Sequence, residues 1–202
     1  MLFRVGDNSL NLIQMKILKS ILIVMFIGLT LSSNAQDRGR SFSPNYKGYF
    51  YLRTAFTGDA LSLESNDPAS SHMSGAAYMS SEQGVTGTMW QLVPDAKRKG
   101  WYRLKSSFQG NGKCLEGNSK GGVKDGRAFM NDCQDVKGQL WRLDLVSSNN
   151  GDHLYRLRNM MQGNNASLEG NKPGEGAVYS GNAFMDKTQD VSGQYWRLIP
   201  VE

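Results

Sequence analysis

Between residues 101 and 146 the chain enters four short apolar stretches separated by polar ones, and nowhere does it hold a helical period over ten residues. Trp101 to Lys105 alternates aromatic, apolar and charged side chains, the pattern of a half-buried strand, and Gly110-Asn111-Gly112 marks a turn after it. A second strand is predicted around Lys113-Cys114-Leu115-Glu116. It is followed by a surface loop over Gly117 to Gly126, where Gly, Asn, Ser, Lys and Asp surround one apolar residue. Arg127 to Asn131 reads as a third short strand and Leu140 to Val146 as a fourth.

The same pattern stands on both sides of this segment. Phe50-Tyr51-Leu52, Tyr102-Arg103-Leu104 and Tyr155-Arg156-Leu157 each lead, eleven residues later, to Leu63-Glu64, Leu115-Glu116 and Leu168-Glu169. Phe56, Phe108 or Met161 lies between, followed by Gly58, Gly110 or Gly163. Further on, Ala77-Tyr78-Met79, Ala128-Phe129-Met130 and Ala183-Phe184-Met185 precede Trp90, Trp141 and Trp196 by one shared interval. The units fall at about 49–95, 100–147 and 153–202, so the folded part of the chain, 49–202, is one unit repeated.

Four short strands cannot bury their own apolar face, whereas three such units packed round an axis can share one core. The prediction is an all-β domain, a β-trefoil of three four-stranded repeats with pseudo-threefold symmetry. A propeller is set aside because it usually needs at least four blades. The repeating Leu, Phe/Met, Met and Trp positions, Phe56, Phe108 and Met161 among them, are the expected core.

Upstream of the repeats, Met15-Lys16 and Lys19 precede eleven apolar residues from Ile21 to Leu31, and Ser33-Asn34-Ala35 offers a small-residue cleavage site. Residues 1–35 are therefore expected to be a signal peptide whose true start is Met15, with 36–48 a short linker. The apolar run is shorter than a bilayer span requires, so no membrane insertion is expected after its removal. The product would be secreted or periplasmic.

Removing residues 1–35 takes away three of the 23 Lys and Arg and one of the 18 Asp and Glu, leaving twenty basic against seventeen acidic. Basic residues cluster only at Lys97-Arg98-Lys99, a run that reads as a solvated loop, so no nucleic-acid partner is expected. Cys114 and Cys133 both lie in the second repeat. In an oxidising compartment a disulfide between them would persist, two free thiols being the alternative. Neither His72 nor His153 repeats with them, so no metal and no cofactor are expected.

Gly138-Gln139-Leu140-Trp141-Arg142-Leu143 and Gly193-Gln194-Tyr195-Trp196-Arg197-Leu198 resemble the Gln-any-Trp signature of ricin-type lectin β-trefoils. The first repeat degrades it to Gly87-Thr88-Met89-Trp90. Cys114-Leu115-Glu116 with Cys133 is similar to the family's disulfide-bonded pair. The resemblance covers residues 49–202 and implies that Trp90, Trp141, Trp196, Gln139 and Gln194 are structural, the Trp in the core and the Gln tying backbone groups. It further implies sugar binding through an Asp after Cys-Leu, an aromatic two residues before the second Cys and an Asn before the Gln. The sequence departs from that trio in every repeat, with Glu116, Asn131 and Gly138, then Glu169, Asp186 and Gly193, then Glu64, Ser80 and Gly87.

A Glu after each Leu has two readings. It either accepts charge-assisted hydrogen bonds from sugar hydroxyls or ties a neighbouring turn. On the first reading the sugar contacts are Glu116, Asn118, Asn131, Glu169, Asn171, Asp186 and Glu64. The function expected is a secreted, non-enzymatic, carbohydrate-binding domain, multivalent through its repeats, monomeric, with a glycan or polysaccharide as partner. The alternative is a protein-interaction or inhibitor module on the same scaffold. No catalytic residues are expected, since the three Glu lie on separate repeats and two scattered histidines supply no triad.

Overall fold

The computed structural model describes residues 42–43, 45–149, 151–174 and 180–202. The expected signal peptide lies outside the described residues, as does most of the expected linker. Twelve strands are present, four to a repeat. They are β1 (Phe50–Thr54), β2 (Ser62–Glu64), β3 (Tyr78–Ser80), β4 (Trp90–Pro94), β5 (Tyr102–Ser106), β6 (Lys113–Glu116), β7 (Phe129–Asp132), β8 (Trp141–Asn149), β9 (Asp152–Asn159), β10 (Ala166–Gly170), β11 (Ala183–Lys187) and β12 (Trp196–Pro200). The first and fourth strands of each repeat close a six-stranded barrel in the order β1-β12-β9-β8-β5-β4. The middle two pair into separate hairpins, β2-β3, β6-β7 and β10-β11. This is a β-trefoil, with no α-helix among the described residues.

The hairpins meet at a ring of backbone hydrogen bonds that explains the recurring Ala. Ala77 N–H donates to the Ala128 carbonyl at 2.7 Å, Ala128 to Ala183 at 2.8 Å, and Ala183 back to Ala77 at 3.0 Å. All three are fully buried, and three chains can converge this closely only where side chains are small. Phe50, Tyr102 and Tyr155, at matching positions of the barrel strands β1, β5 and β9, face the preceding segment. Phe42 packs edge-on to Tyr102 at 5.0 Å and its N–H donates to the Tyr155 hydroxyl at 2.7 Å, while Tyr46 sits 4.5 Å from Phe50.

Between these contacts lies the core, with Leu52, Leu104 and Leu157, Leu63, Leu115 and Leu168, and Trp90, Trp141 and Trp196 all at 0 % exposure. Each indole N–H is satisfied by the same carbonyl of its own repeat: Trp90 donates to Leu63 and Trp141 to Leu115 at 2.8 Å, and Trp196 to Leu168 at 2.9 Å. A buried indole without that acceptor would forfeit a desolvated donor.

One expectation about the core is corrected. Phe56, Phe108 and Met161 are 43 %, 57 % and 41 % exposed. Each sits on a turn that leaves a barrel strand. In that turn Thr54, Ser106 or Asn159 accepts a backbone N–H three residues on, and the following Gly58, Gly110 or Gly163 has φ near +60°. The turn chemistry fixes the backbone and points it away from the barrel, so hydrophobic identity alone misplaced these side chains.

Cys114 and Cys133 form a disulfide joining β6 to the residue after β7. The third repeat has a hydrogen bond at the same place, Ser167 Oγ to Thr188 Oγ1 at 3.1 Å. In the first, Ser62 accepts instead from Arg53 Nε at 3.2 Å. The bridge therefore adds to a closure that the other repeats achieve without it. The sequence separation is 19 residues, and a loop of that size constrains the unfolded chain by about 3 kcal/mol. Reduction should leave the fold intact and lower the melting temperature by about 6–12 °C, as calorimetry with and without reductant would measure.

Candidate functional site

Glu64 and Glu116 end the first strand of their hairpins and Glu169 stands one residue before the end of its own, opposite Tyr78, Phe129 and Phe184 in register. All three are half-buried. Each lies against the Gly that precedes the signature position, held in a tight 3-10 turn just before the fourth strand. A Cβ at Gly87 would stand 3.0 Å from Glu64 Cγ, and one at Gly138 or Gly193 would stand 3.2 Å from Glu116 or Glu169 Cγ. The longer carboxylate and the missing side chain thus form one unit: Glu occupies space that an Asn at the Gly position would need.

The Gln after that Gly completes the unit. Gln139 Nε2 donates to Glu116 Oε2 at 2.9 Å and to the Asp132 carbonyl at 2.8 Å, while its Oε1 accepts from Gln134 N–H at 2.8 Å. Gln194 repeats this with Glu169 Oε2 at 2.9 Å, the Lys187 carbonyl at 2.9 Å and Gln189 N–H at 3.0 Å. Both Gln are fully buried, and every polar atom of their amides is used.

The first repeat lacks this donor. Thr88 turns its hydroxyl to the Val85 carbonyl at 2.8 Å, and Glu64 Oε2 is left buried with no hydrogen-bond partner. The same repeat has Tyr78 where the others have Phe. Its hydroxyl lies beside Glu64, and burial first, then the charge and hydrogen bonding of Glu64, push its pKa up to about 12. The hairpin without the Gln is thus the one with a phenol beside its Glu.

The remaining candidates divide by repeat. Around Glu116, Asn118 donates to Oε1 at 3.2 Å and Asn131 to Oε2 at 3.1 Å, so three side-chain donors converge on that carboxylate. Around Glu169 the geometry is more open. Asn171 accepts from Lys172 N–H at 3.0 Å in a turn of its own, and Asp186 accepts from Gln189 at 3.2 Å. Among the described residues no donor reaches Glu169 Oε1. Burial raises the pKa of Glu169 above the ordinary 4.5, against the lowering hydrogen bond from Gln194, and Asp186 adds to the rise. Asn66 also serves its loop, donating to the His72 carbonyl at 2.6 Å.

The Glu-to-Gln bond is the feature that sequence reasoning missed. Its signal was present, since Glu recurs with Gly-Gln in two repeats and the copy without Gln is the one that carries Tyr78.

Residues 86–182 match the family model described as a ricin-type beta-trefoil lectin domain-like domain. No curated protein matches the chain. Among solved structures, the designed threefold-symmetric protein ThreeFoil is 24 % identical, with a TM-score of 0.55 over 76 % of this chain and 99 % of its own. SeviL, solved bound to the asialo-GM1 saccharide, is 18 % identical, with a TM-score of 0.56 over 78 % of this chain and all of its own. A Polyporus squamosus lectin, bound to a human-type influenza-binding epitope, is 15 % identical, with a TM-score of 0.56 over 79 % of this chain and 50 % of its own. These likenesses establish the fold.

Two substitutions test the Glu-Gly-Gln unit. Thr88→Gln should give Glu64 the donor it lacks and stabilise the protein by about 1 kcal/mol, a rise of about 2–4 °C in melting temperature. Gly87→Ala should cost about 1–3 kcal/mol by crowding Glu64. That cost should largely disappear when Glu64 is also Ala, a coupling that a double-mutant cycle in denaturant measures.

Proposed function

From the premise that the chain carries a ricin-type β-trefoil lectin-like domain, we propose that it binds carbohydrate, without catalysing a reaction, at the hairpins that carry Glu169, Glu116 and Glu64. The match over residues 86–182 carries this reading, and the half-buried carboxylates at equivalent hairpins supply its chemistry. A carboxylate facing water at one oxygen and held at the other is preorganised to accept from a sugar hydroxyl.

Glu169 is the best placed of the three, because Gln194 fixes one oxygen and the other is uncommitted, with Asp186 and Asn171 as neighbouring polar groups. Glu116 would have to give up Asn118 or Asn131 to take a ligand, and Glu64 would have to uncover its buried, unpartnered Oε2 beside Tyr78. Two or three weak sites on one domain would gain avidity on a polymeric glycan. The reading includes a protein exported by removal of residues 1–35, its trefoil spanning 49–202, acting as a monomer with no nucleic-acid partner. The reading is non-enzymatic because the three recurring carboxylates sit on separate hairpins and Asp186, the second carboxylate near Glu169, is held by Gln189, whereas glycoside hydrolysis needs two facing one bond.

A glycan array followed by titration of the best ligand tests this. Glu169→Gln should weaken binding by about tenfold or more, the value of one charge-assisted hydrogen bond, with little change in melting temperature. Binding at Glu169 should also fail as the pH drops through its raised pKa, above 4.5, since the protonated acid no longer offers two acceptor oxygens. A correctly folded protein that retains no glycan on the array would end the proposal. A pH profile unchanged by Glu169→Gln would remove that residue from the site.

A further inference from the structure

Trp101 is the one Trp that does not recur with the repeats. It closes the hairpin between β4 and β5, where its carbonyl accepts from Asp95 N–H at 2.8 Å and its N–H donates to the Arg98 carbonyl at 3.1 Å. Its ring is half-buried. The Arg142 guanidinium lies over it, 5.6 Å from the centroid. Trp101 also lines an open groove of about 610 Å³ together with Tyr102, Asn45, Asp95, Lys97 and Lys99, a volume within the usual range for small-ligand sites. Two residues of the basic run, Lys97 and Lys99, stand at this groove.

The charges there do not cancel. Asp135 accepts from Arg98 at 2.7 Å and from Lys97 at 3.1 Å, and Asp95 holds Arg98 at 3.3 Å and Arg103 at 3.5 Å. Lys97, Arg98, Lys99 and Arg103 thus face two carboxylates, and Lys99 makes no ion pair among the described residues. An indole offers the apolar face that a pyranose ring covers, and an uncompensated ammonium beside it favours an anion.

We propose that this groove is a second saccharide site, distinct from the hairpin carboxylates, and that it takes a carboxylated pyranose such as a uronate unit of an acidic polysaccharide. The proposal draws from the function above only that the ligand is a saccharide. The Trp101 ring stacks on the sugar while Lys99, with Lys97 exchanging from Asp135, meets the carboxylate. Net positive charge at the rim excludes no neutral sugar but ranks acidic ones first.

Affinity electrophoresis and titration of the full protein with polygalacturonate, its methyl-esterified form, neutral dextran and polyglutamate test the site, with the melting temperature of every variant recorded. Polygalacturonate should bind best, and more weakly as salt rises. Trp101→Ala should weaken it by about tenfold, as loss of one stacked ring implies. Lys99→Glu, at an unpaired surface position, should weaken it comparably with no loss of stability, while Glu169→Gln should leave it unchanged. The proposal is overturned if wild-type protein ignores polygalacturonate. It is equally overturned if Lys99→Glu and a folded Trp101→Ala variant both bind the polymer as the wild type does. Polyglutamate binding of equal strength, insensitive to Trp101→Ala, would show a polypeptide contact in place of a sugar site. Glycan binding lost in Glu169→Gln while polygalacturonate ignores the protein would sink this groove alone, and polygalacturonate binding with no glycan at the hairpins would sink the hairpin reading alone.

Discussion

Three backbone hydrogen bonds in a ring, Ala77 to Ala128 to Ala183 and back, tie together what no single repeat could hold. They join the three hairpins, whose strands form ladders only within their own repeat, and single bridges such as Tyr78 to Asn182 flank the ring. Because the ring closes only with all three copies present, its bonds are non-local in sequence, and the register of each hairpin is fixed by the other two. The small side chain at these positions is a consequence: anything larger would push the three backbones apart and leave buried amides without partners.

From the hairpins the order passes to the barrel through the indoles. Trp90, Trp141 and Trp196 begin the fourth strands, and each reaches back to the Leu carbonyl one residue before the recurring Glu. The Gly and Gln before each of the last two Trp then reach the Glu itself, so the core contact and the candidate site are built on consecutive residues. This is why the carboxylates combine two roles that sequence reasoning set against each other. Gln139 and Gln194 make Glu116 and Glu169 part of the turn structure, yet a carboxylate held by one oxygen is better placed to offer the other. The balance differs between repeats because neighbouring side chains differ: Asn118 and Asn131 fill the second repeat, whereas the third leaves an oxygen open.

The exposed groups follow a different logic from the repeated ones. Phe56, Phe108 and Met161 recur and are nonetheless outside the core, held there by rigid turns. Trp101 does not recur, and lies where a charged hairpin meets the barrel. Repetition therefore identifies what the backbone requires, and departure from it identifies where the surface has acquired a chemistry of its own.

The twelve strands, their division into three groups of four, the Leu and Trp core and the family resemblance are all legible in the sequence, because each depends on local alternation or on the spacing of like residues. Strand limits moved by a residue or two, and β8 ran on to Asn149 through an irregular pairing with β9 that no local pattern marks. It took the folded arrangement to show that Gln139 and Gln194 bond the recurring Glu, that Glu64 Oε2 is left buried without a partner beside Tyr78, and that Cys114–Cys133 is matched by a Ser167–Thr188 hydrogen bond in another repeat. These depend on distances between side chains far apart in the chain. A hydrogen bond is made or lost within a few tenths of an ångström, and residue spacing carries no information at that scale.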